Sequence, residues 1–212
     1  MIVLAGRGPV FSAGADIEWM KTVAGFTREE NLDDARSLAD LFETIDRSPK
    51  AVVACVQGAA LGGGAGLVAV VDVAVAEETA QFGFTEVRLG LVPAVISPYV
   101  VRKIGVSASR ELFLTGERFT AERAAAIGLV HRVVKLDELD AAVDERVREL
   151  LQAAPGAVAA AKALVRAVAG RPVESVRDLV CKRIAERRTS AEGQEGLRAF
   201  LEKRKPDWDG LR

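Results

Sequence analysis

The sequence predicts an α/β fold that gives way to a helical C-terminal region, and three observations carry that expectation. Residues 51–56 and 73–76 are apolar runs too short to be helices of their own, as expected of strands covered on both faces. Stretches with helical apolar spacing alternate with these runs, the arrangement of an α/β core. Beyond Ala121 the pattern turns mostly helical, and only residues 129–134 still read as strand.

In chain order, residues 2–5 form a first strand, closed at once by the turn Gly6-Arg7-Gly8-Pro9. A polar start at Thr27 leads into a helix whose Leu38, Leu41, Phe42 and Ile45 share one face, ending near Ser48-Pro49. Residues 80–82 make a further short strand after the glycine-rich stretch 58–66. Helices are predicted over 136–151, 156–168, 172–188 and 191–203. The chain is therefore divided into an α/β core, residues 1–150, and a helical region, residues 151–212.

Of the 212 residues 50% are hydrophobic and 28% charged, enough to build a core and too charged for a membrane-embedded or fibrous chain. The 29 basic residues balance 30 acidic ones, which points to neither nucleic acid nor an anionic membrane as partner. Cys55 and Cys181 lie far apart and outside any C-x-x-C spacing, so no disulfide framework and no metal site are expected, and a reducing cytoplasm fits. The apolar run 67–76 is interrupted by Asp72 and too short to span a bilayer, so neither secretion nor membrane insertion is expected.

Three segments carry chemistry. Phe11-Ser12-Ala13-Gly14-Ala15-Asp16-Ile17 places small residues directly after a strand and turn, where a ligand can lie against the backbone; taken alone, the segment is better read as a plain turn with a helix start at Asp16. Residues 57–67, with Gly62-Gly63-Gly64 at their centre, run from a buried strand into a helix whose free N–H groups favour developing negative charge. They lack the Gly-Lys-Ser/Thr of a phosphate loop and the G-x-G-x-x-G of a dinucleotide site, leaving close helix packing as the plain alternative. Residues 80–93 set one carboxylate, Glu86, among apolar and small neighbours, which suits proton transfer unless Glu86 simply pairs with Arg88.

In this order the segments resemble the crotonase superfamily, the enoyl-CoA hydratase/isomerase family. The motifs F-x-A-G-A-D, G-x-A-x-G-G-G and A-x-F-x-x-x-E-x-x-x-G-x-x-P appear as residues 11–16, 58–64 and 80–93, and the likeness runs on through Leu114-Thr115-Gly116-Glu117 to residues 200–205. The resemblance implies a spiral of ββα units with a C-terminal trimerisation region, an acyl-CoA thioester as substrate, no separate cofactor, and a homotrimer or hexamer. It also implies an oxyanion hole from the N–H groups of Ala15 and Gly63 and a catalytic Glu86. Ala13, Ala15, Asp16, Ile17, Gly62, Gly63 and Ala94 would line the substrate and CoA path, and Phe200 and Lys203 would reach a CoA bound to an adjacent subunit.

Family hydratases commonly carry a second glutamate where this chain has Gly66. A lone glutamate is similar to the isomerases and to hydratases of the bacterial methylglutaconyl-CoA type, which residues 12–20 and the segment Pro93-Ala94-Val95-Ile96-Ser97-Pro98 favour. Hydration of a 2-enoyl-CoA is thus expected first, 3-enoyl-CoA/2-enoyl-CoA isomerisation second. His131 reads as structural. Relatives begin with further strands ahead of Ile2, so the chain is expected to be truncated there, and a non-catalytic acyl-CoA-binding paralogue is the reading from another class.

Overall fold

The computed structural model describes residues 1–208. The chain divides into two compact units, one of Met1–Arg47 and Val52–Arg146, the other of Ser48–Ala51 and Val147–Arg212. In the first unit, β1 (Ile2–Ala5), β2 (Val52–Val56), β4 (Val73–Glu77) and β7 (Arg132–Val134) form a sheet in the order β1-β2-β4-β7, with every neighbouring pair parallel. Every residue of β2 is buried, which is why its sequence is a continuous apolar run without alternation. A second sheet, β3 (Ala59–Leu61), β5 (Gln81–Gly83) and β6 (Arg118–Thr120), pairs β3 with β5 in parallel and β5 with β6 antiparallel.

Helices α1 (Ile17–Val23), α2 (Arg28–Arg47), α3 (Gly63–Val70), α4 (Ser97–Thr115) and α5 (Ala121–Ala126) complete this unit, together with most of α6 (Leu139–Leu151). Helix α2 starts on a capping box: the Glu30 carboxylate accepts the Thr27 N–H, while Thr27 Oγ1 accepts the Glu30 N–H. Its Phe42 enters the core and stacks on Tyr99 of α4 at 5.7 Å between ring centres. Phe82, Phe84, Phe113 and Phe119 form a second aromatic group between the short sheet and α4.

The structure differs from the sequence-based expectation at four places. Strand β3 falls inside the stretch read as a glycine-rich break: it is three residues long and exists through non-local pairing to β5, which no local pattern announces. Strand β6 is equally short. Helix α4 was not predicted, because Pro98 sits in its first turn and Gly105, at φ 76° and ψ 168°, breaks its periodicity into two helical pieces. Within residues 129–134 only Arg132–Val134 pairs; Leu129 instead donates its N–H to Ala124 O and closes α5. His131 stitches β7 to β4, its N–H bonding Ala74 O and its Nδ1 accepting the Ala74 N–H.

The second unit holds α7 (Pro155–Val168), α8 (Val173–Thr189) and α9 (Ala191–Leu201). Few of its side chains are buried, and polar ties do much of the fastening. Ser190 caps α9, Glu192 accepts the Gly156 N–H at 2.8 Å and pairs with Arg187, and Arg204 forks onto both oxygens of Glu195. Trp208 lies over Gly196 and donates its indole N–H to Gln152 O.

Lys103 of α4 fixes the far end of α3, its ammonium donating to Val71 O at 2.9 Å. Burial, against the attraction of Asp72, pulls its pKa down from 10.5 to about 8. Between those values the unfolded chain holds a proton that the folded one has released, so stability should rise with pH across that window. Urea unfolding at pH 8 and pH 10 should show this rise in the parent and a smaller one in Lys103→Met; equal rises in both would contradict the assignment.

Candidate active site

The second sheet brings the three motif segments together. Phe11 donates its N–H to Gln57 O and Ser12 exchanges backbone hydrogen bonds with Ala59 and Leu61, forming a parallel bridge to Ala60. The Gln57 amide reinforces this by donating to Gly6 O and Gly8 O. Gly62 at the N-cap of α3 then turns back, its N–H bonding Gly83 O at 2.8 Å at the end of β5. The segment after β5 carries Glu86 at the head of a short 3-10 turn, Glu86–Leu89.

Glycine makes the close approaches possible. Gly62 has φ 53° and ψ −122°, a conformation that side chains rarely adopt, and a Cβ there would stand 3.3 Å from Glu86 Oε1. A Cβ on Gly64 would meet Ser12 atoms at 2.7 to 2.8 Å, and one on Gly14, at φ 107°, would lie 3.5 Å from Leu61 O. Segment 12–14, the first turn of α3 and the Glu86 carboxyl thereby approach one another closely, with the Ser12 side chain packed on Gly64. Gly63 is the first residue of α3, so its N–H has no acceptor inside the helix.

Two carboxyls of this region, the buried Glu77 and the half-buried Glu86, differ sharply. Glu77 is saturated: its Oε1 accepts from the Gly58 N–H and from Thr79 Oγ1, a role in holding the turn. Glu86 Oε2 is buried with no partner, the only such carboxylate oxygen among the described residues. Burial pushes the Glu86 carboxyl above its usual range, and its own backbone N–H offsets that in part. It does not pair with Arg88; that side chain lies against Gly116 instead, its Nε 3.4 Å from where a Cβ would stand. One carboxyl, desolvated and unpaired beside a helix N-terminus, is equipped to take up and return a proton.

Around this centre Ala13, Ala15, Asp16 and Ile17 are exposed, and Asp16 uses its carboxylate to cap α1 through the Trp19 N–H at 2.9 Å. Ala94 is also exposed, at the end of the segment that leaves Glu86. Phe200 and Lys203 belong to the other unit, where Phe200 is 81% exposed at the end of α9 and Lys203 has φ 54°. At Gly66 a Cβ would collide with Ile96 Cγ2 at 2.3 Å and approach Phe42 Cζ at 3.2 Å, so no second carboxylate fits there. Ile96 was not singled out from the sequence, although the unusual segment 93–98 that contains it was. Among the described residues no group of His, Cys, Asp and Glu is placed to hold a metal ion, and no helix is long and apolar enough to cross a membrane.

The model of the family described as enoyl-CoA hydratase/isomerase matches residues 1–211. The chain belongs to that family. Its backbone superposes on a crystal structure of an enoyl-CoA hydratase from Shewanella pealeana with a TM-score of 0.93 and 45% identity, covering 98% of this chain and 78% of that one. Pseudomonas aeruginosa AtuE matches with the same TM-score at 41% identity, over 97% of this chain and 80% of that one. A carnitinyl-CoA dehydratase of Salmonella enteritidis is 36% identical over 214 residues, covering 99% of this chain and 80% of the relative. The crotonase fold expected from the three motifs is therefore the fold observed, and the chain is an enzyme of a family that acts on acyl-CoA thioesters.

For this enoyl-CoA hydratase/isomerase family member, Gly62→Ala should both strain the turn and press a methyl group toward Glu86 Oε1. A stability loss of about 1–3 kcal/mol is expected from the backbone alone. Turnover at a temperature where the variant stays folded should fall at least tenfold, since a small misplacement of a reacting group is expensive. Thermal melts paired with steady-state rates check both; unchanged turnover would mean that the approach of Glu86 to Gly62 is immaterial.

Proposed function

We propose that this protein adds water across the double bond of a 2-enoyl-CoA, with Glu86 as acid and base and the N–H groups of Ala15 and Gly63 holding the thioester oxygen. The observation that carries the reading is the Glu86 carboxyl itself, desolvated, unpaired and seated beside the first turn of α3. Donors fixed at a helix N-terminus favour the negative charge that grows on the carbonyl oxygen as an enolate forms. Ionised Glu86 accepts a proton from water while the water oxygen bonds to C3 and the π electrons move onto the thioester oxygen. Glu86 then returns the proton to C2 as the carbonyl re-forms, so one water is added and the residue is regenerated. The reaction needs no cofactor beyond the CoA that the substrate carries.

On this reading Ala13, Asp16, Ile17, Gly62 and Ala94 line the path of the thioester and its CoA. Phe200 and Lys203 serve a CoA held by a neighbouring copy, in a trimer or a dimer of trimers in the cytoplasm. The exposed Leu197, Phe200 and Leu201 on α9 support such an assembly, because an apolar face of that kind is normally covered. The likeness of residues 12–20 and 93–98 to methylglutaconyl-CoA hydratases makes 3-methylglutaconyl-CoA the first acyl group to try. The lone carboxylate also supports a second reading, in which Glu86 carries a proton between carbons and isomerises a 3-enoyl-CoA. Turnover of 2-enoyl, 3-enoyl and 3-methylglutaconyl thioesters in 18O-labelled water separates the two, since only hydration places the label at C3.

Glu86→Gln keeps the shape of the side chain and removes its capacity to take up and return a proton, so turnover should fall by roughly a hundredfold or more. Binding of the thioester, followed by calorimetry, should persist. Arg88→Ala should leave turnover nearly untouched, because Arg88 packs on Gly116 and not on the carboxyl. Near-normal turnover in Glu86→Gln would remove the mechanism.

A further inference from the structure

In the segment that carries Glu86, residues 88–92 are exposed. Leu89, Leu91 and Val92 are among them, and Gly90 turns the backbone at φ 73°. The Leu91 N–H donates to Glu86 O at 3.1 Å, so the backbone just behind the carboxyl depends on where this loop lies. Beyond this exposed stretch Pro93 is buried, and the loop ends at Ile96, the buried N-cap of α4, whose carbonyl accepts from the Tyr99 and Val100 N–H groups.

Ile96 is seated against α3. The missing side chain of Gly66 leaves the space that Ile96 Cβ and Cγ2 fill, and Phe42 closes the same spot from α2. Gly62 and Gly66 are one helical turn apart, joined by the Gly66 N–H to Gly62 O bond at 3.0 Å. Glu86 is thus received by the first glycine and Ile96 by the second, and the connecting loop begins and ends against two side-chain-free positions one turn of α3 apart.

We propose that Ile96 is a positioning residue for the reaction, a wedge in the space left by Gly66 that fixes the loop and so holds Glu86 against the first turn of α3. The proposal rests on Glu86 being the acid and base. It accounts for two features that otherwise stand unrelated, a glycine in the buried helix next to the site and a β-branched residue at the start of α4. It also predicts that the two positions are coupled, because a methyl group at 66 must displace Ile96.

The test compares Ile96→Ala, Ile96→Val and Gly66→Ala with Ile104→Ala, which removes the same atoms from a buried position of α4 away from the loop. All are assayed on 2-enoyl-CoA, or on whichever thioester the parent turns over, at a temperature where each stays folded. Ile96→Ala and Gly66→Ala should lower kcat about tenfold or more with KM changed far less. The pH midpoint that Glu86 sets should move down, as water reaches a carboxyl now partly desolvated. Ile96→Val, which retains the Cγ2 methyl, should restore kcat to within a few fold of the parent, and Ile104→Ala should melt earlier with kcat and pH midpoint unchanged. If Ile96→Ala does not fold, Gly66→Ala decides the matter alone. Equal behaviour of the Ile96 and Ile104 variants, or a normal kcat and pH midpoint in Gly66→Ala, overturns the proposal. Failure of Glu86→Gln to lose activity would instead remove the underlying reading and is scored separately.

Discussion

Everything at the candidate site depends on helix α3 beginning without side chains. Backbone N–H groups act as donors only on atoms that can come within about 3 Å, and a Cβ in the way prevents that approach. In Gly62-Gly63-Gly64 and again at Gly66 the obstruction is removed, and the vacancies at 62, 64 and 66 each receive a different partner. Glu86 comes up to Gly62, Ser12 to Gly64, and Ile96 with Phe42 to Gly66. The cost is conformational: four glycines in five residues have little intrinsic preference for helix. Burial of Ala65, Val68, Ala69 and Val70 on the same helix offsets it, so α3 is held by its surroundings and not by local propensity.

The electrostatic character of the site follows from the same packing. A helix N-terminus favours an ionised carboxylate, whereas removal from water favours the protonated form, and for Glu86 burial is the larger influence. The contrast with Glu77 shows what decides the outcome. Both carboxyls belong to the same unit, but Glu77, at the end of β4, has two donors on its Oε1, while Oε2 of Glu86 has none. A carboxyl that the fold leaves unsatisfied is maintained at a loss of stability, and such losses concentrate where chemistry is done. The absence of an ion pair with Arg88 belongs to this account, because a guanidinium beside Glu86 would hold it ionised.

Much of this was legible in the sequence. The parallel strands β2 and β4 announced themselves as apolar runs, and the spacing of the three motif segments pointed to the family whose fold the chain adopts. What could not be read locally was what depends on pairing at a distance. Three-residue strands such as β3 and β6 have no periodicity of their own, and α4 was hidden by Pro98 and by the break at Gly105. Gly66 was recognised as a departure from a two-carboxylate pattern and Ile96 lay in a segment marked as unusual, yet their contact appears only once α3 and α4 are packed together. Whether Glu86 pairs with Arg88 was likewise open until the side chains had positions.

The central claim is that the fold partly desolvates the Glu86 carboxyl and leaves it unpaired, and its titration measures this most directly. With glutamate labelled by 13C at the side-chain carboxyl, the Glu86 resonance can be assigned by its loss in Glu86→Gln and followed as pH is varied. The account predicts a midpoint clearly above that of an ordinary glutamate, about 4.3, set apart from those of the solvated glutamates in the same spectra. A Glu86 midpoint at or below the ordinary value would contradict it, because the carboxyl would then be solvated or held by a partner.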